Sequence, residues 1–291
     1  MTKLYCITRD KLSTGTDAVT AGLLKTTCKK QGIKFVPIYS QNYDFSKPNI
    51  LEPGSILYKV TTDTKSTILF KLLLNKNIST VFKDYKIGLM RGSPITGPLL
   101  LQENGLPMIK SIFDIPSDKK LLSQYVNKLD SFPIIIKAIG GSHGVGVMRV
   151  DSMESLVSIV DYLNSLSDSK NYILRSYIDH ESSARLIVLD NKVIDSISYK
   201  RGKQDFRSNA GTDLVVSKKQ FSQTIQNNAI KAVNSYGSDF GGVDILIDKK
   251  GKGHIAEVNI PCFFPRSQIE TGVDIAGELV SFLLKKAEKL A

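Results

Sequence analysis

Two carboxylates and an amide stand close together near the end of this chain: Asp244 in Gly-Gly-Val-Asp-Ile-Leu, then Glu257 and Asn259 in Ala-Glu-Val-Asn. Glu257 and Asn259 are two residues apart, so on an extended strand both side chains leave the same face. Asp244 lies in the preceding apolar run, across a turn expected at Asp248–Gly251, and antiparallel pairing can bring it alongside Glu257. Two carboxylates and an amide oxygen are hard ligands, the set that Mg²⁺ prefers when phosphates complete its shell. A solvated outer sheet face is the alternative. The flanking residues are apolar on both runs, and an acidic cluster is costly there without a cation.

Two further constellations carry chemistry. Lys137 ends an apolar run and is followed by Gly140-Gly141-Ser142-His143-Gly144-Val145-Gly146. Glycines in such a turn let backbone N–H groups approach an anion, and the lysine adds a point charge beside them. The turn joins strand to strand, so it is neither a Walker loop nor a dinucleotide fingerprint, both of which open a helix. A glycine-rich hairpin without a ligand fits the same residues. The run Lys200-Arg201-Gly202-Lys203-Gln204-Asp205-Phe206-Arg207-Ser208-Asn209 reads first as an exposed basic loop. Arg207 is also placed to clamp a phosphate or a developing oxyanion.

The elements that must position these residues alternate between strand and helix. Residues 1–85 read as an N-terminal α/β domain with a mostly parallel sheet: KLYCIT, KFVPIYS, SILYKVT and STVFKD as strands, with helices between them. Residues 86–170 form a small central unit, with PLLLQENG as a helix closing on Gly105, SFPIIIK and VMRV as strands around the glycine turn, and a helix capped by Ser152. Residues 171–291 hold five strand-like runs (YILRSYI, ARLIVLD, KVIDSISYK, GGVDILIDKKG, GHIAEVNI) and two helices, a C-terminal mixed-sheet domain.

Composition narrows the function classes. At 291 residues, 42% hydrophobic and 23% charged, the chain has ordinary globular make-up. No run approaches a membrane span, and the first residues carry no apolar stretch of signal-peptide length. Cys6, Cys28 and Cys262 are odd in number and widely spaced, which favours a reducing, cytoplasmic setting over a disulfide framework or zinc site. The net charge of +11 favours an anionic partner. The cations are scattered rather than interleaved with aromatics, so nucleic acid is not the expected partner. His143 sits in the glycine turn, where it could touch phosphate or face solvent. His180 and His254 lack partners at metal-ligand spacing, and Cys262 is expected as a buried loop cysteine rather than a nucleophile.

Taken in order, FPIIIKAIGGSHGVGV, QDFRSN, GGVDIL, AEVN and ETGVDIAGELV resemble the ATP-grasp superfamily, and within it the RimK-type ligases, over the stretch from about Gly105 to the C-terminal helix. The resemblance implies an α/β (α+β) ATP-grasp fold with ATP between the central and C-terminal domains. It implies an ATP-dependent ligase that joins a carboxylate to an amine through an acyl phosphate, using ATP with Mg²⁺ or alternatively Mn²⁺. Its other substrates would be an amino acid or peptide amine and a carboxylate on a metabolite, peptide or protein, with no membrane partner. Homo-oligomers are common among such ligases. Lys137 would contact the α-phosphate and adenine side, and Gly141, Ser142 and Gly144 would close over the phosphates. Ser176 and Tyr177 would form the adenine hinge, and Glu181 would grip the ribose. Asp244, Glu257 and Asn259 would hold one or two Mg²⁺ ions. Arg207 would stabilise the acyl phosphate, with Asn209 and Arg185 nearby.

The chain departs from that pattern at several places. Relatives carry a second nucleotide-binding lysine where this chain has Arg91-Gly92-Ser93-Pro94; Arg91 and Lys86 are the candidate replacements. Ser176 replaces a common glutamate. Ile260-Pro261-Cys262-Phe263-Phe264-Pro265-Arg266 replaces the usual small residue and Ser-Pro-Gly, somewhat closer to glutathione synthetases. A non-catalytic, regulatory ATP-binding protein of the same fold is the alternative function.

Overall fold

The first layer grows from short apolar strands. In a computed structural model, which describes residues 2–11, 15–48, 50–90, 95–139, 145–166, 171–200, 206 and 215–290, β1 (Lys3–Thr8), α1 (Thr16–Lys30), β2 (Lys34–Tyr39), β3 (Ile56–Lys59) and α2 (Thr64–Leu73) form the N-terminal α/β unit. Its sheet runs β2-β1-β3, all parallel. Parallel neighbours need covered crossovers, and the helices supply the cover. Asp63 caps α2 by accepting the Ser66 amide hydrogen at 2.9 Å. The STVFKD run, expected as a strand, makes only isolated bridges, Ser79 to Ile56 and Phe82 to Ser238. Its two ends follow different partners, so no ladder propagates.

Next come α3 (Tyr85–Met90) and α4 (Thr96–Glu103), then β4 (Ser111–Ile112), α5 (Lys119–Lys128), β5 (Ile134–Ala138), β6 (Val147–Val150), α6 (Met153–Ser165) and β7 (Tyr172–Ser176). The four strands form an antiparallel sheet ordered β4-β7-β5-β6. Leu122, Val126, Leu156 and Val160 of α5 and α6 pack on Ile134, Ile136 and Leu174, which covers one face and leaves the other open. Asp118 and Ser152 cap the two helices. The α5 helix was not among the sequence expectations, because its apolar positions are few and its ends are marked by lysines.

The largest sheet contains β8 (His180–Leu189), β9 (Lys192–Lys200), β10 (Val215–Lys218), β11 (Phe240–Asp248) and β12 (Gly253–Asn259), ordered β10-β9-β8-β11-β12. The helix α7 (Gln223–Ser235) covers one face, with Ile225, Ala229 and Val233 against Leu186, Val243 and Ile255. The expected turn at Asp248–Gly251 is present: Asp248 accepts from the Lys250 and Lys252 amides at 2.9 Å, and Gly251 takes φ 77°, a conformation glycine adopts without strain. After α8 (Pro265–Thr271), α9 (Ile275–Glu288) returns to the N-terminal unit. There Leu279, Val280 and Leu283 join Leu4, Ile56 and Leu69 in one core.

Sheet membership does not follow chain order strictly. Strand β7 belongs with the sheet of β5, so that sheet extends to Ser176. Leu101 of α4 packs with Val233 and Tyr236 in the core of the five-stranded sheet. The second face of the five-stranded sheet is partly covered by the N-terminal core through Ile187 and Leu189, and a cleft lies between strand β12 and the open face of the four-stranded sheet.

Candidate active site

Register builds the acidic side of the cleft. Asp244 stands opposite Glu257 and Gly242 opposite Asn259 on β11 and β12. Arg185 on β8 stands beside Asp244. Directly opposed residues share a face, so Arg185, Asp244 and Glu257 form a row across three neighbouring strands. A bulge between Asp244 and Ile245 interrupts the β11–β12 ladder at this row.

Arg185 grips Asp244 with a two-pronged contact: Nε donates to Oδ1 at 2.8 Å and Nη2 to Oδ2 at 2.7 Å. Asn259 Nδ2 adds a bond to Oδ2 at 3.0 Å. The adjacent Asp244 carboxylate raises the Arg185 pKa above the ordinary guanidinium value, and this outweighs the cost of its burial. Each carboxylate oxygen has two lone pairs, so Oδ2 is filled by these bonds while Oδ1 keeps one site. With its NH₂ turned to Asp244, Asn259 has its oxygen available as an acceptor.

Glu257 accepts one bond, from Lys137 Nζ to Oε2 at 3.2 Å. That contact crosses between the two sheets. The acceptor sites left on Asp244, Glu257 and Asn259 are hard oxygens on one face, a donor set that fits Mg²⁺. Among the described residues there is no group of three or more His, Cys, Asp or Glu able to hold a metal; this set has two carboxylates, and its third donor is an amide.

The cleft between the sheets has a volume of about 310 Å³ and is lined by Lys137, Ile173 and Arg175 on one side and by Glu257 and Asn259 on the other. A larger hollow of about 440 Å³ against β2 is lined by residues such as Tyr5, Tyr39 and Tyr43, with no charged side chain among its described residues. The chemistry therefore belongs to the cleft. A side chain at Gly146 (φ 78°) would meet Ala138 Cβ at 2.8 Å, so the close return requires glycine.

The remaining expected residues divide into two groups. Gly141, Ser142, Gly144, Arg207 and Asn209, with Arg91, lie outside the described residues. Ser176, Tyr177 and Glu181 are described and are not among the residues lining the cleft. The Ser176 amide donates to the Lys110 carbonyl at 3.0 Å, and its hydroxyl donates to the Leu129 carbonyl at 2.9 Å. Tyr177 carries the Arg149 guanidinium over its ring at 4.7 Å. Glu181 is exposed at the start of β8, where pairing with β11 slips. Lys86 is exposed on α3, away from the lining.

Sequence reasoning passed over Arg175, which faces the cleft from β7. An arginine following Ile173 and Leu174 in an expected strand was the available signal. Cys262 is fully buried behind Gly242, where an added Cβ would meet its sulfur at 2.8 Å. Burial pushes its thiol up to about 12, so little thiolate forms at neutral pH.

Comparison with known proteins adds to this geometry. The RimK-like ATP-grasp domain matches residues 98–283. A probable alpha-L-glutamate ligase from Klebsiella pneumoniae (strain 342) is 27% identical over 191 residues, covering 65% of this chain and 62% of that protein. A ribosomal protein bS6–L-glutamate ligase from Salmonella newport (strain SL254) is 28% identical over the same length and shares. The matched stretch thus spans 62% of the length of these curated relatives. Among solved structures, the ATP-grasp ligase PsnB complexed with minimal precursor superposes with a TM-score of 0.71 at 15% identity, covering 98% of this chain and 99% of that one. A D-alanine–D-alanine ligase from Bacillus anthracis gives 0.70 at 16% identity, covering 100% and 98%. At these identities the structural likeness shows the fold.

Proposed function

Since the chain belongs to the RimK-like ATP-grasp family, we propose that it is an ATP-dependent carboxylate–amine ligase with its nucleotide and metal in the cleft between the two antiparallel sheets. The observation that carries this reading is the row Arg185–Asp244–Glu257, which meets Lys137 across the cleft. Acidic metal ligands on one wall and a phosphate-binding cation on the other are what Mg·ATP requires.

In this reading a substrate carboxylate oxygen attacks the γ-phosphorus of ATP, the bond to the bridging oxygen breaks and ADP leaves; an amine then attacks the acyl carbon, phosphate departs, and the nitrogen loses a proton to give the amide. Mg²⁺, held by Asp244, Glu257 and Asn259, would supply charge neutralisation to the phosphate oxygens. Lys137 exchanges its contact with Glu257 for a phosphate oxygen. Arg185 fixes the Asp244 carboxylate in direction through its two-pronged contact, so that the lone pair left on Oδ1 points one way. Arg207, with Asn209, is assigned to the transferring phosphoryl group, where a guanidinium offsets growing charge. Gly141, Ser142 and Gly144 are assigned to cover the phosphates, Ser176 and Tyr177 to the base, and Glu181 to the ribose.

Relatives named as glutamate ligases and a neighbour bound to a precursor peptide support an amino acid or peptide as one substrate. The net charge of +11 favours an acidic acceptor. Three free, buried cysteines support a reducing, cytoplasmic setting. Among the described residues no helix is long and apolar enough to cross a membrane. The second reading, a regulatory nucleotide binder, is favoured by the absence of lysine at residues 91–94.

Phosphate release from Mg·ATP by wild type and Glu257→Ala, against a panel of amino acids and acidic peptides, tests the proposal. Release that depends on one carboxylate–amine pair and disappears in the variant supports the ligase. Tight Mg·ATP binding without turnover for any pair supports the regulatory binder. A wild type that does not bind Mg·ATP overturns both.

A further inference from the structure

Arg175 is a buried guanidinium with less compensation than its depth calls for. It is 8% exposed and sits at the penultimate position of β7. Its one hydrogen bond to the described residues runs from Nη1 to the Ala256 carbonyl, on the opposite sheet, at 3.1 Å. Its Nε is shut off from solvent and donates to no acceptor among the described residues. Glu257, the nearest carboxylate acting on it, is taken by Lys137. Burial lowers the Arg175 pKa from the ordinary guanidinium value, and Glu257 and Tyr236 offset that only in part.

A buried charge held this way destabilises the fold unless an anion completes its surroundings. The place for that anion is defined by register. Ile173 stands opposite Lys137, and Arg175 opposite Ile135, on adjacent strands. Lys137 and Arg175 therefore share the cleft face as diagonal neighbours, with backbones about 7–8 Å apart. A polyphosphate bridges such a gap. Among the described residues lining the cleft, these two are the cations. Residues Ile95 to Leu101, on the wall after the lysine-free stretch, bring none.

We propose that Arg175 is a second phosphate-binding cation of the nucleotide site, acting with Lys137 on the same phosphate chain. This rests on the nucleotide-binding reading above. Its planar fork keeps Ala256 on one prong while the other engages phosphate. The same side chain thereby ties nucleotide binding to the strand that carries Glu257, one residue beyond Ala256.

Calorimetric titration of the full chain with ATP, ADP, AMP and adenosine, in Mg²⁺, compares wild type with Arg175→Met and Arg175→Lys. Losing a charge-assisted contact weakens ATP and ADP binding by about 10- to 100-fold. AMP loses less and adenosine is unchanged, and the lysine variant recovers part of the loss. An equal loss for all four ligands would mean a base contact or a purely structural role, and would overturn the proposal. Unchanged ATP affinity in both variants would overturn it too, leaving the ligase reading intact. If Arg175→Met fails to fold, Arg175→Lys decides alone: weaker ATP with unchanged adenosine supports the proposal, and any other pattern rejects it. A wild type that binds none of the four overturns the nucleotide reading itself.

Discussion

Arg185 and Arg175 lie ten positions apart in the chain, on the two sheets that face each other, and their surroundings treat them in opposite ways. Arg185 is neutralised within its own sheet by a two-pronged contact with Asp244, and its pKa rises. Among the described residues Arg175 has a carbonyl and no carboxylate of its own, and burial lowers its pKa. Both are strand cations removed from bulk water, Arg175 buried and Arg185 partly so. The difference teaches that burial alone does not mark a structural charge: the partner does. In the proposed site one arginine would aim a metal ligand, and the other would hold its charge toward an anionic substrate.

The comparison breaks most readily at Arg185. Replacing it with Met leaves Asp244 partly buried and unpaired, at a cost of about 3 kcal/mol. That is the low end of the range for a buried pair, since the two side chains keep 22% and 20% of their surface in solvent. Urea unfolding should show a lower midpoint with an unchanged slope. An unchanged midpoint would mean that the pair contributes nothing.

Next in size is Glu257→Ala. Losing an outer partner of a metal costs up to roughly 100-fold, and losing a ligand should exceed that in phosphate release and in Mg²⁺ affinity. A variant with near-normal release would remove Glu257 from the metal set.

Arg175→Met sharpens the contrast, because its stability should move the other way. Removing an under-compensated buried charge is expected to leave the unfolding midpoint unchanged or raise it, by about 1 kcal/mol. A fall of the size expected for Arg185→Met would make the two arginines equivalent.

The smallest effect concerns Cys262, packed against Gly242 beside the acidic row. Its folded thiol is pushed up to about 12 from an unfolded value of 9.0. The stability gained by keeping it neutral is fully present below pH 9 and is lost as pH rises from there toward 12. Cys262→Ala should flatten that alkaline fall and leave turnover within about twofold, as expected of a thiol with no chemical role. A large loss of turnover would return Cys262 to the list of reacting groups.

Much of the acidic wall was legible beforehand. The spacing of Glu257 and Asn259, the turn at Asp248–Gly251 and the apolar runs around Asp244 are local patterns, and a period of two places such residues on one face whatever the rest of the chain does. The strand that carries Lys137 was readable for the same reason. Arg175 was not, because a single arginine in an apolar strand gives no sign of which face it takes. Ser176 follows it on the same strand, with its amide bound to the Lys110 carbonyl and its hydroxyl to that of Leu129, contacts that no local pattern announces.

By itself, then, the sequence determined the strands, the donor types and their faces, since these depend on neighbours within a few residues. Only the tertiary structure decided that Arg185 belongs to Asp244, that Lys137 meets Glu257 across 120 residues of chain, and that Arg175 has no carboxylate partner among the described residues. Those outcomes depend on how two sheets are set against each other. That arrangement comes from the burial of their covered faces, which constrains the open faces without being written in them.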